Sequence, residues 1–502
     1  MPYSLAMGVR GSAEVRIAGQ KAGDPLHLAW SESAHDGAVL STRFALNDND
    51  GVPAVGDKIE LEWQTDGPEQ ARGKLVLWAS AVSIEHAPGA QFVDIVARDP
   101  LAFCDEEPQF RSYPGRITLI ELARQVLAFQ PGRLDGMEFG TDAGGKLPQE
   151  YLFQCGESGA QFLVRIADRA GGILYWDRER FISARTAGPT GERIDLKDSA
   201  GLRFVERHTA EPALKQLSWL DPVTRNGQAA AVKSKSWSGA NGARGLVRPA
   251  SAMARPETNG WVGEGVRRPW NGTLEVNSSH AGIRLGSLIE VPGGQIGAVE
   301  AVEHSFEPMN GGNYQSWCRA VPKECWGLSR RPTAPGLLGP FQAVVMENDD
   351  PELLGRIRVA LSEDPERRVS PWLPALTASA GSETGLFWIP EKDSLVLVAA
   401  PAACAEAMFV LGGVRGERHR APSDCRSAKN ARKALAFRNG VRIVVDDDEQ
   451  TLRFETQGGS WQLDGHGLVK VKARQYDAHF DESAKLEAGQ RVAIDAARID
   501  LG

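Results

Sequence analysis

The sequence has no excess of basic residues and no long apolar run. Its 57 Lys and Arg are outnumbered by 65 Asp and Glu, which leaves a formal net charge of −8 at pH 7. A protein that binds nucleic acid non-specifically needs a basic face for the phosphates, so this balance argues against that class. No stretch of about eighteen apolar residues could span a membrane as a helix. We therefore expect that any passage through a membrane is driven from outside the chain.

Cysteines are few and scattered. The closest two, Cys318 and Cys325, lack the short spacing of a zinc knuckle or a redox pair. We expect free, buried thiols in a protein made in the cytoplasm, with no metal and no cofactor. Residues 1–11 show no apolar run after a basic start, so we expect no secretory leader.

Glycine and proline, by contrast, are plentiful. The 54 Gly and 29 Pro indicate many turns, and 502 residues are too many for a single hydrophobic core. Apolar residues alternate with polar ones in several short segments of the first hundred residues, which predicts strands at 58–63, 74–86 and 92–99. The predicted fold class is mainly β with a few helices.

Two helices are predicted by their capping residues. One begins at Thr118 and Glu121, the other at Ser158 and Gln161, and apolar residues at helical spacing follow each pair. Ser158 lacks the flanking glycines of a hydrolase nucleophile, so we interpret it as a helix cap.

A linker and a small barrel are predicted after the first 330 residues. Three prolines and two glycines fall within 330–340, and no periodicity crosses them. About five short strands follow in about 70 residues, a spacing that suits an OB-fold. These predicted strands are 341–347, 356–361, 370–376, 394–400 and 408–414.

The last part of the chain is a ribbon of short alternating segments with no helix to pack against. Each is too short to bury a core alone, so its apolar face needs a partner. Three chains wound into an intertwined β-helical needle would provide one, and a single-chain solenoid is the alternative. The residues expected to face a shared axis are Val469, Val471, Val492 and Ile494, with Ile499 and Leu501 at the end.

This order of parts resembles the VgrG-type spike family of contractile injection systems and phage tails. Three segments carry the resemblance: 151–181, 350–376 and 385–414. The matching residues are Gln154, Glu157, Ser158, Phe162, Leu163, Arg165 and Gly171 or Gly172 in the first, and Gly355, Arg356, Val359, Ser370 and Trp372 in the second. In the third, Lys392 replaces the usual glycine before Asp393.

The resemblance implies a structural, non-enzymatic spike: a homotrimer that joins an inner tube and baseplate to a puncturing tip and pierces the target envelope. It implies a phage tail hub-like head with two β-barrel parts and embedded helices at 1–330, a linker at 331–339, an OB-fold barrel at 340–414, a connector at 415–434 and the needle at 435–502. It also implies an Hcp-like tube protein, a PAAR-like tip protein bound at Ile499 and Leu501, and room for effector cargo. Such particles assemble in the bacterial cytoplasm and act in the target cell envelope.

Two alternative functions, a cell-wall hydrolase and a nucleic-acid-binding protein, fit the sequence less well. A needle-associated lysozyme would need well over a hundred residues, whereas about twenty separate the predicted barrel from the ribbon, and the acidic residues 446–449 are interpreted as a turn. Nucleic-acid binding by the barrel would use Trp372, Phe387 and Trp388, but acidic runs flank them, so core or trimer contacts are favoured. His466 has no second metal ligand nearby in sequence. Type VI secretion, an extracellular particle and a phage tail stay open as host systems, and the short ribbon favours the last two.

Overall fold

The computed structural model divides into two units, Met1–Val414 and Arg415–Gly502. It describes 9–46, 51–66, 71–104, 108–128, 137–142, 146–147, 151–169, 172–185, 191–197, 202–208, 214–220, 227–231, 244–249, 272–308, 312–323, 326–327, 339–400, 408–426 and 428–498. Most of the linker predicted at 330–340 lies outside these residues, as do Ile499 and Leu501.

The first unit contains a closed ring of eight antiparallel strands. Six come from the first hundred residues and two from far along the chain, so the ring is not built from the N-terminal stretch alone. Apolar residues alternate inward along its strands, as the sequence predicted. The strands are β1 Val9–Ile17, β3 His27–Ser33, β4 Gly37–Leu46, β5 Lys58–Thr65, β6 Arg72–Ala87, β7 Ala90–Arg98, β20 Ile296–Glu307 and β21 Asn313–Val321, and β2 Gln20–Lys21 pairs with β1.

A second sheet shares β20 and β21 with this barrel. A register shift between Val299 and Ala301 bends β20, and strands twelve and nine residues long can serve both sheets. Among the described residues this sheet stays open, with a core of its own. Its further strands are β13 Arg193–Asp195, β14 Arg203–His208, β18 Gly272–Ser278 and β19 Leu288–Glu290, while β15 Leu214–Leu220, β16 Gly227–Ala231 and β17 Arg244–Pro249 form a separate sheet.

Both helices begin where the capping residues predicted. Thr118 and Glu121 form a reciprocal capping box at the start of α1, Leu119–Leu127. Ser158 and Gln161 exchange the equivalent bonds, 3.3 and 3.2 Å long, before α2, Gly159–Arg169. Small sheets accompany the helices: β8 Gln109–Pro114 with β10 Tyr151–Glu157, and β9 Glu138–Asp142 with β11 Gly172–Asp177 and β12 Arg180–Arg185. Neither helix is long and apolar enough to cross a membrane, among the residues described.

In its described residues, 340–400 and 408–414, the OB barrel has four regular strands where five were predicted. They are β22 Phe341–Glu347, β23 Arg358–Leu361, β26 Leu395–Ala399 and β27 Phe409–Gly413, with a small hairpin of β24 Ala380–Gly381 and β25 Thr384–Gly385. The predicted strand at 370–376 makes only isolated bridges, to β27 and to Ile357 just before β23. Pro371 and Pro374 explain this, because proline cannot donate to a ladder.

The second unit begins with a five-stranded antiparallel meander, the ribbon sheet. Its strands are β28 Arg432–Ala436, β29 Arg442–Asp446, β30 Thr451–Glu455, β31 Ser460–Asp464 and β32 Val469–Lys472, paired in chain order. The later predicted segments at 485–487 and 491–495 form no strand within one chain. A strand needs a neighbour for its ladder hydrogen bonds, and residues 473–498 have none within the described part of this chain.

A charged cluster is buried inside the eight-stranded barrel. Arg178 Nε donates to both carboxylate oxygens of Glu32, at 3.0 and 3.2 Å. His304 Nε2 lies 3.5 Å from the same carboxylate, and His304 Nδ1 lies 2.5 Å from the Tyr314 hydroxyl. The guanidinium of Arg178 also covers the Trp63 ring, 4.9 Å from its centroid. This cluster ties β3 and β20 to the loop after β11.

Burial and pairing shift the pKa values of Glu32 and His304 so that the folded state is more stable at neutral pH than in acid. Burial alone would raise the pKa of Glu32, but the nearby charge of Arg178, aided by His304, outweighs it and lowers that pKa from 4.5 to about 2. Burial lowers the pKa of His304 below its ordinary 6.5. In the unfolded chain both groups take up protons at higher pH than in the folded chain, so acid favours unfolding.

We predict that the protein loses stability as the pH falls from about 6.5 towards 2, and that Glu32→Gln makes this loss shallower. At pH 7 the variant should already be less stable by about 3–5 kcal/mol, because Arg178 is left buried without its partner. Urea unfolding at several pH values measures both effects. Glu62→Gln, on an exposed side chain of β5, is the control and should behave as the parent. Equal pH slopes for the Glu32 variant and the parent would contradict the prediction.

Candidate functional site

Strand β10 joins the head to the OB barrel, and both of its faces are buried. Tyr151, Phe153 and Cys155 belong to the core of the OB barrel. Leu152, between them, belongs to the core of the head. Successive side chains of a strand point to opposite sides, so one short segment supplies two cores at once. Residues 151–155 are all apolar except one glutamine. A strand with so little alternation is typical of burial on both faces, a signal that the sequence analysis missed.

Aromatic and polar contacts complete this junction. The Phe341 ring at the start of the OB barrel lies 5.7 Å from Phe110 and 6.0 Å from Phe153, both edge-on. Arg368 of the OB barrel donates to the Ser112 carbonyl of β8, and its guanidinium covers the Tyr113 ring at 5.7 Å. Head and barrel therefore share side-chain contacts within one compact unit.

The residues of the first resembling segment hold the junction from the head side. Arg165 Nε donates to both oxygens of the Glu157 carboxylate, at 3.1 and 3.0 Å, and its Nη2 reaches the Phe153 carbonyl at 2.9 Å. Gln154 accepts from Tyr113 and donates to the backbone carbonyl of Glu157. These are positioning contacts that fix β10 against α2. Phe162 and Leu163 are fully buried beside them.

The second resembling segment is explained by local geometry as well. Asp350 accepts two hydrogen bonds from the Arg356 guanidinium, at 2.9 and 2.8 Å. Ser370, fully buried, accepts from the backbone of Val359 at 2.9 Å. The left-handed backbone of the next turn falls on Asp393, with φ of 65°, and not on Lys392. Nothing in the turn therefore requires glycine at 392.

We predict that Arg165→Met destabilises the protein by about 3–5 kcal/mol, because the Glu157 carboxylate is then buried without a counter-charge. The double variant Glu157→Gln with Arg165→Met should recover part of the loss, since no lone charge remains. Chemical unfolding of the three proteins tests this. An Arg165→Met protein within about 0.5 kcal/mol of the parent would show that the pair contributes little to the fold.

The ribbon sheet has one apolar and one polar face, and its register decides which residues share each. Directly opposed residues of antiparallel strands lie on the same face. One row runs across all five strands from Leu435 through Phe454 to Val471, and a second from Lys433 to Val469. Apart from Lys433 this face is entirely apolar: Leu435, Ile443, Val445, Leu452, Phe454, Trp461, Leu463, Val469 and Val471.

This apolar face is open to water in a single chain. Trp461 is 37% exposed, and Val469 and Val471, two of the residues predicted to face a needle axis, are 54% and 48% exposed. Val492 and Ile494, the other two, are 50% and 67% exposed in the tail 473–498, which forms no strand. Their position at a shared axis stays a prediction.

The acidic turn at 446–449 is structural. It joins β29 to β30, as interpreted from the sequence, but Asp446 is buried and not solvated. Its carboxylate accepts from the backbone of Asp448 and Glu449, at 3.1 Å each, and from Arg432. These bonds, led by that from Glu449, lower the pKa of Asp446.

No other described residues form a convergent chemical site. In the part of the chain that the structure describes, no three His, Cys, Asp or Glu side chains are arranged to hold a metal ion. A groove of about 350 Å³ crosses the outer face of β3, β4, β20 and β21. Its titratable lining residues, Glu303 and His304, are neighbours on β20 and point to opposite sides. Cys104, Cys155 and Cys318 are buried and form no disulfide, as expected, whereas Cys425 is only partly buried.

Comparison with known proteins agrees with this architecture. Residues 341–414 match the family of the type VI secretion system/phage-baseplate injector OB domain. The fold is similar to that of a chain in the lidless PdpA–VgrG complex, with a TM-score of 0.60 and 8% sequence identity over 94% of this chain and 100% of that one. For a chain of the half-lidded Francisella PdpA–VgrG complex the TM-score is 0.58 at 8% sequence identity, and the match covers 92% of this chain and 88% of that one. The chain has the fold of a VgrG-type spike.

A sequence comparison with curated proteins found no match. The family match identifies the OB domain at 341–414, and the structural likeness shows a shared fold over most of the chain. The mainly β fold class and the OB barrel predicted from the sequence are thereby confirmed.

Proposed function

We propose that the protein is the homotrimeric central spike of a contractile injection machine, which joins an inner tube and baseplate to a puncturing tip. The observation that carries this proposal is the open apolar face of the ribbon sheet. Nine apolar side chains share that face, and on the order of 1.5–3 kcal/mol is gained for each one fully removed from water, before the costs of association. A face of this size calls for a partner, and an identical copy offers an identical face.

The tail supports the same arrangement. From 476 to 496 almost every even-numbered residue is apolar, and the odd-numbered ones are mostly polar: the apolar set is Tyr476, Ala478, Phe480, Ala484, Leu486, Ala488, Val492, Ile494 and Ala496. This is the period of a strand, yet residues 473–498 form no strand within the described part of their own chain. Strands from two neighbouring copies would satisfy its backbone and leave no open edge.

The apolar residues of β32 have odd numbers and those of the tail have even numbers, and this difference limits how the needle can be wound. Val469 and Val471 are odd-numbered, whereas Val492 and Ile494 are even-numbered. Because side chains alternate along a strand, both sets face one axis only if the chain is offset by one residue between 472 and 476. The proposed needle therefore has two stacked parts, the ribbon sheet above and the extended tail below.

The domain assignment fits this role. A head at 1–330 with two β-barrel parts per chain would let a trimer present a pseudo-sixfold face to an Hcp-like tube. The linker at 331–339, OB barrel at 340–414, connector at 415–434 and needle at 435–502 follow towards the tip. The spike would be assembled with baseplate proteins in the bacterial cytoplasm, act in the target envelope after firing and perform no catalysis itself.

We predict that Trp461→Asp converts the trimer into monomers, because it places a charge in the middle of the face that the three copies would bury. Light scattering on the full-length protein measures the mass. Gln462→Asp is a matched control, since it introduces the same charge one residue later on the polar face, and it should stay trimeric. A parent that is a stable monomer, or a Trp461→Asp protein that is still trimeric, would contradict the proposal.

The tip residues lie outside the described residues and are proposed from the sequence alone. Three copies of Ile499 and Leu501 would form a blunt apolar end, which a PAAR-like partner could cover. Aspartate at both positions should abolish binding of that partner in a pull-down and leave the trimer intact, whereas Asp500→Asn should bind normally. Full retention of the partner by the double variant would place the tip contact elsewhere.

A further inference from the structure

The OB barrel carries a second exposed apolar surface, separate from the ribbon. Leu353 is 89% exposed, Leu354 57% and Phe387 78%. The three residues form what we call the barrel ledge. They belong to two chain segments that meet at Gly355, where an added Cβ would lie 3.1 Å from the Phe387 ring. Phe387 was expected in the core or at a trimer contact, and the structure removes the first option.

The loop that carries the two leucines is held rigidly. Asp350 is buried, and its carboxylate accepts from the backbone of Glu352, Leu354 and Arg356, at 3.1, 3.0 and 3.2 Å. The Arg356 guanidinium binds the same carboxylate. Five hydrogen bonds thus converge on one side chain, and the bond from Arg356 together with the others lowers the pKa of Asp350. The leucines are presented to solvent by a fixed loop.

The backbone at Leu353 indicates that the side chain itself matters. Its φ is 58°, in the left-handed region that glycine and asparagine adopt far more readily than leucine. A leucine here raises the free energy of the isolated folded chain in two ways, through its backbone conformation and through the exposure of its side chain. Such local conflicts are found where a residue serves a contact that the single chain does not contain.

We propose that the barrel ledge is buried against a second copy of this chain, as a ring contact between neighbouring OB barrels. The inference rests on the proposed trimer. Eighteen residues separate the end of β27 from the start of β28. Three barrels tied by such connectors to one needle are confined to the same small volume, where even a weak apolar contact forms.

The charges near the ledge favour a second copy of this chain over a charged partner. Arg356, the basic residue beside this segment, already binds Asp350 and Glu352, the latter at 3.4 Å. Its charge is therefore not available to the phosphates of a nucleic acid or of an anionic membrane. Apolar residues around a threefold axis, or against the next barrel, need no opposite charge.

Thiol labelling tests the proposal directly. In the full-length protein, Leu353→Cys should react with a maleimide at least about tenfold more slowly than Val52→Cys, a cysteine at a 61%-exposed loop position of the head. Peptide mapping separates the new cysteine from the native ones. Equal rates in a protein that light scattering shows to be trimeric would overturn the ledge contact alone. A monomeric parent would overturn both proposals.

A second variant distinguishes a ledge that is buried against a second copy from a ledge that has no partner. Leu353→Asn relieves the left-handed strain and removes the exposed leucine, so a ledge without a partner predicts a protein that is equally or more stable. Docking predicts that the trimer dissociates at a lower guanidinium concentration than the parent, while Val52→Asn matches the parent. An unchanged or raised dissociation midpoint for Leu353→Asn would overturn the proposal.

Discussion

Strand β10 must be buried on both sides, and the first unit depends on that constraint. Its odd-numbered residues, Tyr151, Phe153 and Cys155, complete the core of the OB barrel, while Leu152 faces the core of the head. A strand with two apolar faces has no solvent side, so neither neighbour can move away without exposing apolar surface. This is a physical reason for head and barrel to form one compact unit despite the proline-rich sequence between them.

Polar groups at the same place fix direction and register. The Glu157–Arg165 pair and Gln154 satisfy the buried backbone around β10 and fasten α2 to it. Ion pairs of this kind add little net stability over an apolar core, but they penalise any arrangement that leaves a charge unpaired. The Glu32–Arg178 pair has the same effect inside the barrel, where it links a strand to a distant loop. Buried charges in this protein specify geometry.

The two exposed apolar surfaces present the opposite situation. The ribbon face and the barrel ledge are both well ordered by local hydrogen bonds, and both are open in one chain. An ordered apolar surface keeps its shape ready for a partner and loses little conformational entropy on association. If the protein acts as the proposed spike, contacts of this kind at more than one level would help it resist a driving force along its axis.

The sequence by itself determined the elements whose signals are local. Capping pairs placed both helices, and alternation placed most strands of the barrels and the ribbon, because caps and period-2 burial depend on neighbours within a few residues. It also predicted the mainly β class and the OB barrel. The tertiary structure decided what long-range pairing controls. β20 and β21 closed a barrel with strands far from them in sequence, and Asp446 became buried through a cross-strand partner. Phe387 stayed exposed, beside Gly355 from another segment of the chain. None of these contacts has a signal within its own stretch of chain, since the energy that fixes each one comes from residues brought together only by folding.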